Sequence, residues 1–129
     1  MKSAKKTILI IEDSQVQALA TQLLLENQGA NVLRAANGLA GLKMACQTLP
    51  DVILLDFEMP GINGFEVCRL LRAETCTAEI PIILCTTHPD QEAFRQSLAG
   101  GVINFIPKDV FYTAVLLGTL REMKIIASE

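Results

Sequence analysis

The chain has 129 residues, half of them hydrophobic, and a formal net charge of −3 at pH 7. This length predicts one domain over residues 1–129, with a core from about residue 7 to 125 and no output domain. The negative charge argues against a nucleic-acid surface, which normally needs a basic stripe. No apolar run reaches the roughly 18 residues that cross a bilayer, and the N-terminal apolar segment is too short for a secretory signal. The sequence therefore predicts a soluble, cytoplasmic protein that binds neither nucleic acid nor membrane.

The cysteines do not have the spacing of a zinc site. Cys46, Cys68, Cys76 and Cys85 include no C-x-x-C pair, and the only histidine is His88. Structural zinc sites need closely paired ligands, so such a site is not expected. We expect all four cysteines to be free thiols in a reducing cytosol.

Short apolar runs alternate with segments of helical periodicity along the whole chain. The predicted strands are residues 7–11, 31–35, 52–55, 80–85 and 102–106. The predicted helices are residues 14–29, 39–48, 65–74, 90–98 and 110–125. Five strands alternating with helices predict a doubly wound α/β fold, a parallel sheet covered on both faces.

Apolar spacing predicts which faces of the first and last helices are buried. In the first helix, which Ser14 and Gln17 open as a capping box, the predicted buried face is Val16, Leu19, Ala20 and Leu23. In the last helix it is Val110, Ala114, Leu117 and Leu120. Periodicity alone leaves open whether Phe111 and Leu116 are covered within the domain or exposed as part of an interface.

Polar residues follow four of the predicted strands, where an apolar run ends. They are Glu12 and Asp13, Asp56, Thr86 and Thr87, and Lys108. The carboxyl ends of parallel strands share one edge of the sheet, which is where ligands gather in such folds. Any one of these residues could simply end a strand, but all of them together predict a site.

Three carboxylates in one pocket repel one another, by about 4 kcal/mol per pair at 4 Å and an effective dielectric of about 20. A hard divalent cation such as Mg²⁺ relieves this repulsion and uses only one or two carboxylates. Asp56, at the end of the central strand, then lies between a cation and Lys108. A carboxylate placed in that way is suited to accept a phosphoryl group.

With these residues in this order, and Met59-Pro60-Gly61-Ile62-Asn63-Gly64 after the third strand, the sequence from Thr7 to the last helix resembles a response-regulator receiver domain of the chemotaxis-regulator type. The resemblance implies a flavodoxin-like, five-stranded sheet of order 2-1-3-4-5. It implies a signalling switch, not an enzyme. Asp56 would receive its phosphoryl group from a sensor histidine kinase or a histidine phosphotransfer protein, with Mg²⁺-dependent self-phosphorylation and self-dephosphorylation.

The resemblance also implies a metal set. Asp56 corresponds to the phosphoacceptor, Asp13 to a direct Mg²⁺ ligand and Glu12 to a ligand acting through water. The main-chain carbonyl of Glu58 corresponds to a further ligand.

A second group of positions corresponds to the family's switch. The resemblance implies that Thr86 and Lys108 bind the phosphoryl oxygens and that Phe105 is the aromatic switch residue. It implies that the side chains of Glu58 and Thr87 tune the lifetime of the phosphorylated state. The implied output surface consists of the fourth helix, the fifth strand and the last helix, where a downstream protein target or a second copy would bind. The resemblance therefore implies that Phe111 or Leu116 is exposed in a monomer, or is buried against a second copy.

One position departs from the family pattern. Proline usually follows the lysine, through a cis bond, but here Asp109 follows and Pro107 precedes it. A cis bond to a residue other than proline costs about 3–4 kcal/mol. We still expect Lys108 to reach the site, and Asp109 to act as the N-cap of the last helix.

Two alternatives have to be weighed. An aspartate-based phosphohydrolase could use the pair of Asp56 and Glu58, but those enzymes place the nucleophile after their first strand. A receiver-like module that is no longer phosphorylated would lack an acidic residue, the threonine or the lysine, and all of these are present.

Overall fold

The computed structural model describes residues 5–87 and 104–128. The predicted fourth helix, residues 90–98, the start of the predicted fifth strand and His88 lie outside the described residues. Among the described residues, no helix combines the length and the apolar character needed to cross a bilayer.

A five-stranded parallel sheet forms the centre of the domain. Its strands are β1 (Thr7–Ile11), β2 (Asn31–Ala35), β3 (Val52–Asp56), β4 (Ile82–Thr86) and β5 (Asn104–Pro107). They lie in the order β2-β1-β3-β4-β5, and every neighbouring pair is parallel. The doubly wound fold and its strand order are therefore confirmed. The central strand β3 is buried at every position, which explains its continuous apolar run.

Four helices cover the sheet in the described part of the chain. They are α1 (Gln15–Asn27), α2 (Gly38–Thr48), α3 (Gly64–Ala73) and the last helix (Tyr112–Glu122). Side-chain oxygens cap the first three, because each accepts a hydrogen bond from an amide three residues later: those of Ser14, Asn37 and Asn63.

Alternating strand residues build a core on each face of the sheet. Leu9 and Ile11 point to the face covered by α2 and α3, whereas Ile8 and Ile10 point to the face covered by α1 and the last helix. Because both faces are covered, the strands carry few polar residues before their carboxyl ends.

The predicted buried face of α1 is wrong. Val16 is 80% exposed, Leu19 is 53% exposed and Leu23 is 58% exposed, while Ala18 and Leu25 are buried. Apolar residues occur on several sides of this helix, and periodicity alone cannot choose among them. The choice is made by the contact of Leu25 with the core of the sheet.

The predicted face of the last helix is only partly right. Leu120 is fully buried and Leu117 packs against the core, as predicted, but Leu116 is also fully buried and Val110 is 90% exposed. The helix begins at Tyr112 instead of Val110, so the first two predicted residues precede it. Phe111 is 66% exposed, which agrees with the expectation that Phe111 or Leu116 is accessible.

The expectation of four free thiols is wrong as well. Cys46 and Cys76 form a disulfide, with their Cα atoms 5.5 Å apart, whereas Cys68 and Cys85 are free and buried. The two bonded residues are 30 positions apart in the sequence. Their proximity depends on how β3 and β4 lie beside each other.

Candidate functional site

Three carboxylates meet at the carboxyl-terminal edge of the sheet. Ile11 of β1 pairs with Leu55 of β3, so that the next residues, Glu12 and Asp56, emerge side by side. Oxygen atoms of Glu12, Asp13 and Asp56 lie within 4.8 Å of one another. Glu12 and Asp56 are each only 6% exposed, and Asp13 is exposed. The cluster thus has a buried floor and one side open to solvent.

Lys108 brings a positive charge into this cluster. Its Nζ donates to Asp56 Oδ1 at 2.7 Å, and to Glu12 Oε1 and Gln17 Oε1 at 3.2 Å each. The backbone fixes its place, because the amide of Lys108 donates to the Thr86 carbonyl at 2.6 Å just beyond the last pair of β4 and β5. Lys108 therefore reaches the site, as the sequence predicts.

Burial and neighbouring charges have opposite effects on the pKa values of Glu12 and Lys108. Burial raises the pKa of Glu12, and the Ser14 amide and the Lys108 charge offset that effect only in part. For Lys108, burial acts to lower the pKa, but attraction to Asp56 and Glu12 outweighs it and leaves the pKa raised. Lys108 consequently stays charged throughout the physiological range.

Arg34 on β2 holds the loop that carries the acidic pair. Its Nε and Nη2 donate to the Glu12 carbonyl at 3.1 and 2.9 Å, and Nη2 also donates to the Asp13 carbonyl at 3.1 Å. Sequence reasoning missed this residue. A single arginine in an edge strand, paired in register with Ile10 near the end of β1, is the signal that could have found it.

Glu58 contacts the end of β4 through its side chain. Its Oε1 accepts hydrogen bonds from Thr86 Oγ1 at 2.9 Å, and from the amide and the hydroxyl of Thr87 at 2.5 Å. Burial acts to raise the pKa of Glu58, but these hydrogen bonds outweigh it and hold the pKa below its ordinary value. The carboxylate of Glu58 therefore links the loop after β3 to the completely buried Thr86.

The structure shows the backbone at the position where the sequence departs from the family pattern, the bond between Lys108 and Asp109. No cis peptide bond occurs in the described residues, so the bond from Lys108 to Asp109 is trans. Asp109 is not the N-cap of the last helix: that position is Phe111, which makes no side-chain capping bond. Instead, Asp109 Oδ1 accepts from the Phe111 amide at 2.9 Å and shapes the turn before the helix.

Phe105, the predicted switch residue, is half-buried on β5, where it pairs with Leu84 and packs against the core on the side of α2 and α3. It is not in the acidic cluster itself.

On the other face of the sheet, a cavity of about 340 Å³ extends from the cluster between α1 and the last helix.

Comparison with known proteins shows the family to which this chain belongs. A family model described as the response regulator receiver domain matches residues 8–119. The chain therefore belongs to the response regulator receiver domains, the CheY-like domains of two-component systems.

Individual relatives agree with this membership. The chain is 45% identical to protein PilH of Pseudomonas aeruginosa over 85 residues, which are 66% of this chain and 69% of PilH. It is 40% identical to the transcriptional regulatory protein AfsQ1 of Streptomyces coelicolor over 104 residues, which are 81% of this chain but only 45% of AfsQ1. The longer curated relative thus extends well beyond the length that this chain matches.

Solved structures show the same architecture. Chemotaxis protein CheY4 of Vibrio cholerae superposes with a TM-score of 0.86 at 29% identity, covering 92% of this chain and 98% of CheY4. The receiver domain of sensor histidine kinase PA1611 from P. aeruginosa gives 0.82 at 28% identity, covering 92% and 97%, and that structure holds a magnesium ion in its active-site cleft.

Proposed function

We propose that residues 1–129 act as a receiver domain in which Asp56 accepts a phosphoryl group from a phosphorylated histidine. The observation that carries this proposal is the place of the Asp56 carboxylate, 2.7 Å from Lys108 Nζ and within 4.8 Å of ligand atoms on Glu12 and Asp13. The donor would be a sensor histidine kinase or a histidine phosphotransfer protein in the cytoplasm.

The residues present fit a magnesium ion. The cluster offers only oxygen ligands, which Mg²⁺ prefers, and one side is open for the waters that the ion retains. We infer that Asp13, Asp56 and the main-chain carbonyl of Glu58 hold the ion and that Glu12 acts through water. The ion would supply charge neutralisation during transfer, and the magnesium found in the PA1611 receiver domain supports this assignment.

The chain's own groups have defined tasks in the transfer. An Asp56 oxygen attacks the phosphorus, the bond from phosphorus to the histidine nitrogen breaks, and an acyl phosphate forms. Lys108 already contacts Asp56 and stays charged, so it can neutralise negative charge on the phosphoryl oxygens without moving far. Glu12 and Gln17 hold the same ammonium group in place.

Phosphorylation would then act as a switch through Thr86. In the structure its hydroxyl donates to Glu58 Oε1. A phosphoryl group on Asp56 carries roughly −1.5 to −2 charges in place of the single charge of the carboxylate and offers stronger acceptors, so the hydroxyl would exchange partners. We propose that Phe105 responds to this exchange and alters the surface made by the last helix and β5. A downstream protein target, or a second copy of the chain, would read that surface.

Glu58 and Thr87 are proposed to set the phosphoryl lifetime, because they join β3 and β4 beside Asp56. The protein is phosphorylated in the presence of Mg²⁺, and the phosphoryl donor is then removed. The rate at which the phosphoryl group is lost should differ from wild type in both Glu58→Ala and Thr87→Ala. Unchanged decay in both variants would remove these residues from the proposal.

A direct test of the function uses acetyl phosphate, a small phosphoryl donor. With Mg²⁺, intact-mass measurement should show one added phosphoryl group, and excess EDTA should suppress it. Peptide mapping after reduction of the acyl phosphate with borohydride should locate the group at Asp56. No adduct with either acetyl phosphate or a phosphorylated histidine donor would contradict the proposal and favour an interaction module without phosphorylation.

A further inference from the structure

The Cys46–Cys76 pair lies at the amino-terminal edge of the sheet. Each cysteine is six residues before a strand, Cys46 before Val52 of β3 and Cys76 before Ile82 of β4. These strands are parallel neighbours. The segments that lead into them therefore run side by side, at the edge opposite Asp56.

Hydrogen bonds to the backbone around Cys76 hold its segment in position, and they do not involve its sulfur. The neighbouring Thr77 is only 1% exposed, and its hydroxyl donates to the Leu71 carbonyl at the end of α3. Arg72 Nη1 donates to the carbonyls of Ala78 and Ile80 at 3.1 and 2.7 Å. The turn after α3 is thus organised by hydrogen bonds, and it presents Cys76 to the last turn of α2.

The two cysteines are also accessible. Cys46 is exposed and Cys76 is half-buried, and their Cα atoms are 5.5 Å apart, within the range of unstrained disulfides. Small thiols and disulfides can therefore reach the pair from solvent, and the pair can close without movement of the backbone.

The other two cysteines lie in a different environment. Cys68 and Cys85 are buried in the two cores, and burial raises the pKa of their thiols to about 12 and about 11. Thiol–disulfide exchange requires a thiolate that can be reached. In the folded chain, exchange is therefore confined to Cys46 and Cys76.

We propose that Cys46 and Cys76 form a reversible redox site, whose oxidant is a small disulfide such as oxidised glutathione. The thiolate of Cys46, the more exposed of the two, attacks one glutathione sulfur and releases one glutathione thiolate. The thiolate of Cys76 then attacks Cys46 Sγ and releases the second. Two electrons pass from the cysteines to glutathione, and the two cysteine protons end on the released thiols. Excess reduced glutathione reverses both steps.

Oxidation ties α2 to the turn before β4 and closes a loop of about thirty residues that contains β3 and α3. A cross-link of this length mainly restricts the unfolded chain. The oxidised domain should therefore resist unfolding, and proteolysis from the unfolded state, better than the reduced domain does.

The test equilibrates the full chain in oxidised or reduced glutathione, followed by alkylation in denaturant and intact-mass measurement. We expect four alkylated thiols in the reduced protein and two in the oxidised protein. The melting temperature of the oxidised form should be higher by about 10 °C. The matched variants Cys46→Ser and Cys76→Ser should each lose this shift and melt at the same temperature in oxidised and reduced glutathione.

Other results would overturn the proposal. These are four alkylated thiols after oxidation, a glutathione adduct that never resolves into an internal disulfide, or a disulfide between two chains on a non-reducing gel. An unchanged melting temperature in a protein with two protected thiols would overturn its stabilising role. Because the serine variants compare redox states within one protein, a general loss of stability on substitution does not imitate the predicted result.

Discussion

The two ends of β3 each carry an aspartate, and the two residues have opposite surroundings. At the amino-terminal end, Asp51 Oδ2 accepts a hydrogen bond from the Thr7 amide at 2.7 Å and ties β3 to the start of β1. At the carboxyl-terminal end, Asp56 lies among two other carboxylates and contacts Lys108. One aspartate completes a backbone network, and the other adds charge to a crowded cluster.

This difference shows why the same side chain is structural at one edge and chemical at the other. A carboxylate that accepts a backbone amide stabilises the fold, and its removal leaves a donor without its partner. A carboxylate held near others is repelled by them, and a bound cation can relieve that repulsion. The hydrogen-bonded Asp51 thus contributes to stability, whereas the crowded Asp56 is available for chemistry.

The largest contrast concerns phosphorylation itself. Asp56→Asn should abolish the phosphoryl adduct formed with acetyl phosphate and Mg²⁺. The amide has nearly the same shape as the carboxylate, but it has no carboxylate oxygen that could attack the phosphorus. Asp51→Asn, at the other end of the strand, should leave the adduct in place. Intact mass reads both variants, and an adduct that survives in Asp56→Asn would move the acceptor elsewhere.

The second contrast concerns charge at the reactive edge. Lys108→Gln should slow phosphorylation roughly 100-fold, since it removes a preorganised positive group beside Asp56. The control is Lys43→Gln, which changes an exposed lysine of α2 and keeps the same net charge as the test variant. A time course of intact mass measures both, and equal rates would show that Lys108 has no part in the transfer.

The third contrast concerns stability, for which Asp51 should matter more than Asp56. Asp51→Asn should lower the free energy of unfolding by about 1 kcal/mol, because the amide oxygen that would then accept from Thr7 carries no negative charge. Asp56→Asn should change it less without Mg²⁺, because the repulsion with Glu12 and Asp13 that it relieves offsets the attraction to Lys108 that it removes. Urea titrations give both values. Equal destabilisation by the two changes would contradict the division between the edges.

The smallest expected effect is the pH dependence of Glu58. Its pKa is held below the usual 4.5, so the unfolded chain takes up the proton first as pH falls. The stability that ionised Glu58 contributes is present above pH 4.5 and is lost as pH falls through the lowered pKa. The difference in unfolding free energy between wild type and Glu58→Gln, about 1 kcal/mol at pH 7, should therefore shrink on acidification. A difference that stays constant from pH 7 to the acid limit of folding would contradict this assignment.

Local patterns in the sequence determined the sheet and the edge at which the charged residues meet. The short apolar run from Val52 to Leu55, bounded by breakers, is typical of a strand covered on both faces, and a parallel sheet must bring the residues after each strand to one edge. The convergence of Glu12, Asp13 and Asp56 therefore follows from the order of elements along the chain. The strand order came from the family resemblance, because alternation of strands and helices leaves it open.

Tertiary structure decided the features that depend on packing between distant segments. In α1, apolar residues occur on several sides, and only the contact of Leu25 with the core leaves Val16 and Leu23 in solvent. Cys46 and Cys76 meet because β3 and β4 are neighbours and because a hydrogen-bonded turn presents the second cysteine to α2. No local pattern encodes such a contact, since its energy comes from surfaces that exist only after the sheet has formed.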